Sequence, residues 1–372
     1  MKKNILFTYI LKELFLFFIV AFLFFFLIFF VNQILLMAED ILKKRVPVLD
    51  VTRLIIFSLP FVIAQAAPFA TLVGFLMCIG RFVSDNEILI VRASGLSFTV
   101  LLAPVLLLGL LISIVSFAVN DYLLPVGTIA YNDLYREIIL SNPGLELESN
   151  SIKRTNDSIL VIGNVEERNV SDLLMFDTDS QNNQRITIAG QTTILESKDK
   201  TVFMQLNMAE PEIIQFDKKT ASTFTQMKAD NAVMNLFADS FLSSSSSSTN
   251  PREMTSYDLK KVIIKKRAES EGERTFQLNL YEMEYYKKFS LPFGSLFFSL
   301  LAFPLALMFG KVNGQTIGLI IGILVSVLYW SLIIMGQNFG IRNNINGFIV
   351  MWLPNTIVAV FGLVFLVKLV KK

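Results

Sequence analysis

Long apolar stretches without charge alternate with short polar connections along most of this chain. The uncharged stretches cover residues 14–38, 54–80, 93–120, 289–310, 312–341 and 343–367. Each is longer than the roughly 18 apolar residues that identify a candidate transmembrane helix. The pattern therefore predicts six spans, and the least marked boundary, at Arg342-Asn343-Asn344, separates the last two.

A polar region with a different pattern lies between the third and fourth spans. Short β-type runs alternate there with Asn, Asp and Gly clusters, which is typical of hairpins in an antiparallel sheet. These runs are 158–163, 173–176, 185–188 and 201–206. The fold class that follows is a polytopic α-helical membrane protein of six transmembrane helices with an inserted extracytoplasmic antiparallel β domain.

The same patterns divide the chain into four regions. Residues 1–125 hold spans one to three, 126–242 the β domain, and 275–372 spans four to six. Residues 243–274 hold a serine-rich linker and a surface helix, because the run Ser243–Ser248 is typical of a flexible connection. With the N-terminus inside, cytoplasmic span ends carry more Lys and Arg than the short outer loops, as the positive-inside rule expects. The β domain is then extracytoplasmic.

Composition excludes several classes of function. The chain is 53% hydrophobic, its formal net charge is +2, and it contains no histidine and one cysteine, Cys78. A Ser-His-Asp or Cys-His catalytic site and an ordinary zinc site are therefore excluded. An intrachain disulfide is impossible, and the charge indicates no nucleic-acid partner. The first apolar run is longer than a signal-peptide core and is followed by no A-x-A site, so it is a retained span.

Residues 81–95, RFVSDNEILIVRASG, form a polar island between the second and third spans. Ser84 and Glu87 have the spacing of a capping box, in which each side chain accepts from the other's backbone amide. Asp85 adds negative charge to the first turn, and Gly95 is suited to end the helix in a left-handed conformation. The sequence predicts a helix over 84–95 that is too short to cross a bilayer and is held at its surface. Such a helix is suited to pass force from a soluble partner to the two spans.

Two further patterns each have a functional and a structural interpretation. Gly314, Gly318, Gly322 and Ser326 form a stripe of small residues along span five, where another helix can approach closely. The approaching helix belongs either to the same chain or to a partner subunit that opens and closes. The cationic run Lys43-Lys44-Arg45 either holds the acidic headgroup of a lipid or is a solvated loop.

Other chemistries lack the residues that they need. No span carries an ionised residue at its centre, which argues against ion-coupled transport. The segment Gly310–Gly314 lacks the order of a phosphate-binding loop, so a separate subunit must bind any ATP. Ser97, Ser113 and Ser116 have no general base in view, which argues against an intramembrane enzyme and favours helix packing.

Two blocks around the polar island resemble a known family. Pro68-Phe-Ala-Thr-Leu-Val-Gly74 and Gly80-Arg-Phe-Val-Ser-Asp-Asn-Glu-Ile88, followed by Arg92-Ala-Ser-Gly95, resemble the second-span and coupling-helix motif of the lipopolysaccharide-export permeases, LptF and LptG. Matching positions continue in the C-terminal half, at Leu291-Pro292, Phe303-Pro304-Leu305, Gly314/Gly318 and Trp352-Leu-Pro-Asn355. The motif is common to both permeases, and Asn142-Pro143-Gly144 favours LptF.

The resemblance implies a subunit of an ABC transporter that has no cofactor and no enzyme activity of its own. Two related permeases form a heterodimer over a dimer of the cytoplasmic ATPase LptB. They extract lipopolysaccharide, or a related glycolipid, from the bacterial inner membrane. The lipid then passes to a periplasmic bridge of β-jellyroll domains, which begins with the permease's own domain and continues with proteins of the LptC and LptA type. The motif assigns ATPase coupling to Ser84, Asp85, Glu87, Arg92 and Gly95, and places lateral gates at spans one and five. The alternative is a membrane-anchored β-domain scaffold without transport activity.

Overall fold

The computed structural model describes residues 2–42, 46–141, 149–154, 158–166, 168–178, 183–195, 202–216, 224–237, 250–269 and 275–371. Contacts divide the chain into two compact units. The helical unit comprises Met1–Met37, Ile55–Ala130 and Pro251–Lys372. The β unit comprises Ala38–Leu54 and Tyr131–Asn250.

Helices account for most of the described residues outside the sheet. Their bounds are α1 Lys2–Leu42, α2 Val48–Ser84, α3 Glu87–Ala93, α4 Phe98–Ala118, α5 Leu124–Ser141, α6 Ser256–Glu269, α7 Phe276–Phe309, α8 Gly314–Arg342 and α9 Gly347–Val370. Six of the described helical segments are long and apolar enough to cross a membrane, which confirms the six spans. In chain order they are α1, α2, α4 with α5, α7, α8 and α9. The last two separate after Arg342, where the sequence places the least marked boundary.

The third span continues further than its apolar pattern predicts. A π-helical turn at Val119–Leu123 joins α4 to α5 without a break, so the helix extends to Ser141. The β domain was expected to begin at 126, which lies inside this helix, and the first described strand begins at Ser151. Pro125 does not end the helix, because the Asn120 carbonyl that its missing N–H leaves free accepts a hydrogen bond from the Lys288 ammonium instead.

Helix α2 lies at the centre of the helical unit. Of its most apolar window, 89% is buried, compared with 28% for α1 and for α8. Its Phe69 ring packs against aromatic rings of three other helices, with centroid distances of 5.8 to 6.3 Å. These rings belong to Phe25, Phe29, Phe298, Tyr329 and Trp330. The core of this unit is therefore assembled on α2, and α1 and α8 keep broad apolar faces open.

A nine-stranded antiparallel sheet forms the β unit. Its strands are β1 Ser151–Arg154, β2 Ser158–Ile162, β3 Val165–Glu166, β4 Asn169–Thr178, β5 Gln184–Leu195, β6 Val202–Ala209, β7 Glu212–Phe216, β8 Phe224–Lys228 and β9 Asn231–Phe237. The main order is β1-β2-β4-β5-β6-β9, with β3 beside β4 and with β7 and β8 continuing from β5. Each of the four predicted runs coincides with a strand, except that Gly163 lies just beyond β2 and Thr201 lies outside the described residues. The antiparallel pairing is confirmed.

Alternation explains the core of this sheet. Leu173 and Met175 of β4 are buried while their neighbours Asp172 and Phe176 are exposed, as expected when successive side chains point to opposite faces. Met204, Leu206 and Met208 repeat the pattern on β6. One buried face thus accounts for the sheet core.

Candidate functional site

The turn between α2 and α3 differs from the predicted capping box. Ser84 is the last residue of α2, and its hydroxyl donates to the Arg81 carbonyl at 3.0 Å. Asn86 precedes α3 in a left-handed conformation, with a φ of 60°, and its side chain makes no capping hydrogen bond. The reciprocal Ser84–Glu87 cap is therefore wrong. Asparagine is one of the few residues that adopt this conformation readily. The turn at Asn86 makes α3 begin at Glu87, so Ser84 is not the residue before the helix and does not cap it.

The short helix that follows is seven residues long, Glu87 to Ala93. Gly95 lies just beyond it with a φ of 82°, and its amide donates to the Arg92 carbonyl at 2.9 Å. The left-handed end that the sequence predicts at this glycine is confirmed. The predicted helix over 84–95 is real but shorter at both ends.

One face of α3 is apolar and open. Ile88 is buried against the helical unit, whereas Leu89 and Ile90 are each 66% exposed. The Arg92 guanidinium is 4.3 Å from the centroid of the Phe98 ring, which holds the end of α3 against the start of α4. A short helix fixed at both ends and presenting two exposed aliphatic side chains is suited to dock into a groove on another protein.

Glu87 has a partner in the first span. The Tyr9 hydroxyl of α1 lies 3.1 and 3.2 Å from the two carboxylate oxygens of Glu87 and donates to them. The Tyr9 ring also packs on Phe82, with centroids 5.7 Å apart. The carboxylate that the family motif assigns to ATPase coupling is thus already attached to α1 within the chain.

A second contact joins the same two elements. The Arg81 guanidinium forms an ion pair with Glu13 of α1 at 3.0 Å and lies 4.0 Å from Asp85. It also lies 5.3 Å from the centroid of the Phe17 ring. Arg81 therefore connects the end of α2, the turn and α1 at one point.

The stripe of small residues on α8 packs inside the chain. A Cβ added to Gly318 would lie 2.6 Å from the Leu76 carbonyl oxygen of α2, and one added to Gly322 would lie 2.7 Å from the Val73 side chain. A Cβ on Gly314 would overlap with the Gly80 carbonyl group. Of the two interpretations of this stripe, the structure supports packing within the chain and contradicts contact with a partner permease, because α2 of the same chain occupies the face. Ser326 continues the buried stripe.

Three further segments that the sequence analysis singles out lie outside the described part of the chain. Lys43, Lys44 and Arg45 fall between the described ends of α1 and α2, and Asn142-Pro143-Gly144 falls between α5 and β1. The serine run 243–248 lies outside the described residues as well.

A buried polar cluster lies at the opposite end of the helical unit and was not predicted from the sequence. Asp121 is 4% exposed and Lys288 is 1% exposed, and the Lys288 ammonium lies 3.7 Å from the Asp121 carboxylate. Both residues flank the uncharged runs, so the pattern places them outside the spans. The folded helices enclose them.

Two prolines explain this cluster. In the π-helical turn the Asn120 carbonyl would pair with the amide of residue 125, which is a proline. The Lys288 ammonium donates to this carbonyl at 3.2 Å. Similarly, Pro292 leaves the Lys288 carbonyl without its helical donor, and the Asn120 side-chain amide donates to it at 3.1 Å. In the sequence, the signal that could have identified this cluster is a polar residue four or five positions before a proline, as at Asn120 and Lys288.

The Asp121 carboxylate also caps helix α6. It accepts from the Ser256 backbone amide at 2.7 Å and from the Ser256 hydroxyl at 3.0 Å. A carboxylate at a helix N-terminus satisfies free amides and interacts favourably with the helix dipole. Asp121 thus connects the segment that precedes the β strands to the segment that follows them.

Neither region resembles a catalytic site. The Ser113 hydroxyl accepts from the Leu296 amide and donates to the Gly109 carbonyl, so this serine packs α4 against α7. Among the described residues no group of His, Cys, Asp and Glu has the arrangement of a metal site.

Comparison with known proteins agrees with this geometry. No individually curated protein matches the chain. The family described as lipopolysaccharide export system permease LptF/LptG matches residues 8–368, which is nearly the whole chain and includes both α3 and the buried cluster. As the motif around α3 predicts, this chain belongs to the LptF/LptG family of lipopolysaccharide export permeases.

Proposed function

We propose that this chain is the permease subunit of an ABC transporter that extracts lipopolysaccharide, or a related glycolipid, from the bacterial inner membrane. A separate ATPase of the LptB type, bound as a dimer at α3, supplies the energy. The observation that carries the proposal is α3 itself, which presents Glu87 and two exposed aliphatic side chains on a helix fixed at both ends. The family match supports the same assignment.

The proposed partners follow from the open surfaces of the helical unit. Helices α1 and α8 expose apolar rows that suit a paralogous permease and the acyl chains of the lipid. These rows include Leu23, Leu27 and Val31 on α1 and Leu324, Val327 and Leu328 on α8. We place the lateral gates along these two helices. Gly314, Gly318, Gly322 and Ser326 support the α8 gate from behind, through α2.

The β unit supports onward transfer of the lipid. At one end of its sheet, a cleft of about 710 Å³ combines the apolar side chains of Phe176, Ile186 and Phe216 with Arg154. We propose that this unit lies in the periplasm, has a jellyroll-like form and passes the lipid to LptC- and LptA-type domains. Lys43, Lys44 and Arg45 are proposed to hold the acidic headgroup as it enters.

The test replaces Glu87 by Gln and measures how much ATPase co-purifies with the permease. Glutamine still accepts the Tyr9 hydrogen bond but carries no charge. Losing one partner of a buried charged contact at an interface costs about 2–5 kcal/mol, so the ATPase should be lost from the complex. The matched control is Glu269→Gln, which removes an exposed carboxylate charge on α6, outside the coupling motif, and should retain the ATPase.

Retention of the ATPase by the Glu87→Gln variant would remove Glu87 from the docking site. If no ATPase co-purified even with the unchanged chain, the membrane-anchored scaffold would be the better assignment. Lipid release by the assembled complex is the second readout, because a scaffold has no transport activity.

A further inference from the structure

The coupling segment, defined here as Gly80 to Gly95, is attached to the first span by side chains at two separate points. Tyr9 donates to Glu87 on one side of the turn, and Glu13 pairs with Arg81 on the other. Tyr9 and Glu13 are four residues apart, so both lie on one face of α1. An element held at two points on a single face can neither slide nor rotate freely relative to that face.

The geometry at Glu87 leaves the carboxylate available to another protein. One hydroxyl shared between two oxygens occupies the inner side of the carboxylate, whereas a carboxylate has about four acceptor positions in all. The outer positions therefore remain for cations of the ATPase. Tyr9 and a docked subunit would bind the same group together and would not exclude each other.

We propose that Tyr9 and Glu13 are positioning residues through which a displacement of the coupling segment moves the first span. This proposal rests on the proposed function, since it requires an ATPase that moves α3. Tyr9 ties Glu87 to α1, and the Glu13–Arg81 pair prevents α1 from turning as it is pulled. The ring contact between Tyr9 and Phe82 keeps Tyr9 in place without the hydrogen bond.

The attachment of α8 to the same segment is of a different kind. Gly80 meets Gly314 through backbone atoms, so no side chain can be removed to separate them. The first span is therefore the element whose connection to the coupling segment can be tested by removing single functional groups.

The first experiment uses Tyr9→Phe in the assembled transporter. This change removes the hydroxyl and keeps the ring on Phe82. The lipid released per ATP hydrolysed should fall roughly two- to tenfold, the range expected for the net loss of one hydrogen bond, while ATPase co-purification stays unchanged. Tyr257→Phe is the matched control, because Tyr257 is exposed on α6, away from α3, and the variant should behave like the unchanged chain.

The second experiment exchanges the charges of the ion pair. Glu13→Arg alone should lower the lipid released per ATP, and adding Arg81→Glu should restore it, which a simple folding defect would not do. Unchanged coupling in both Tyr9→Phe and Glu13→Arg would overturn the proposal. If no ATPase co-purifies with the unchanged chain, the proposed function fails; if the ATPase co-purifies and neither Tyr9→Phe nor Glu13→Arg changes coupling, only this inference fails.

Discussion

The two ends of the helical unit both contain charged side chains, yet they hold them in different ways. At the α3 end, Arg81 and Glu13 are a quarter exposed and bond to each other through their side chains. At the opposite end, Asp121 and Lys288 are almost fully buried: Lys288 donates to a carbonyl that Pro125 leaves free, and Asp121 accepts from the Ser256 amide of α6. An exposed pair is worth about 0.2–1 kcal/mol, whereas breaking a buried pair costs about 3–5 kcal/mol.

This contrast separates a part that can rearrange from a part that must stay fixed. Among the described residues the α3 end lacks a comparable buried network, so it is suited to motion, and its two side-chain contacts with α1 let the first span move with it. The buried cluster combines two helices and the start of α6 in one network, and no member can leave without exposing an unsatisfied charge. We therefore expect the α3 end to change during transport while the Asp121 end acts as its fixed reference.

The largest expected effect is that of Lys288→Met, which removes the ammonium group and keeps the length of the side chain. Asp121 would remain buried without its cation, at a cost of about 3–5 kcal/mol. For a unit of this size, the melting temperature in detergent should fall by about 6–20 °C. Lys368→Met is the control, since this lysine is exposed near the end of α9. A fall no larger than that of the control would show that the pair contributes little.

An intermediate effect is expected from Gly318→Ala, which tests the packing that connects α8 to the central helix. The new methyl group would meet the backbone of Leu76 and Met77, and overpacking of this kind costs about 1–3 kcal/mol. The control is Gly190→Ala, where a Cβ meets nothing within 4 Å. A melting temperature equal to that of the unchanged chain would contradict the close approach of α2 and α8.

The smallest effect on stability is expected for Glu13→Gln at the α3 end. Removing this partly exposed charge should cost about 0.2–1 kcal/mol, which is a fall of at most about 4 °C in melting temperature. The same thermal measurement checks it beside Lys288→Met. A loss comparable to that of Lys288→Met would end the distinction between the two regions.

The sequence predicts the features that depend on long or local patterns. Six spans follow from uncharged runs, and the strands around Leu173 and Ile186 follow from alternation. Gly95 ends α3 as predicted, because the left-handed conformation at a helix end is a local preference. The family is likewise recognisable from the residues of α2 and α3 alone.

The features that the sequence does not give depend on contacts between distant segments. Ser84 and Glu87 fit a capping box locally, but Asn86 turns the chain first and Tyr9 takes the carboxylate from 78 positions away. Asp121 and Lys288 read as charges beside the spans because their burial depends on each other across 167 positions of sequence. The glycine stripe shows the same difficulty, since the sequence alone does not say which helix packs against it.

The Ser256–Asp121 contact closes a loop of 135 residues, and this has a consequence for how the chain can vary. The entropy of closing a loop grows only slowly with its length, by about 0.6 kcal/mol for each doubling. With both ends of the insert fastened to one carboxylate, residues between them can be added, removed or exchanged at little cost to the helical unit. We expect a version with residues 142–249, which follow α5 and contain the sheet, replaced by a short flexible linker to insert and fold normally.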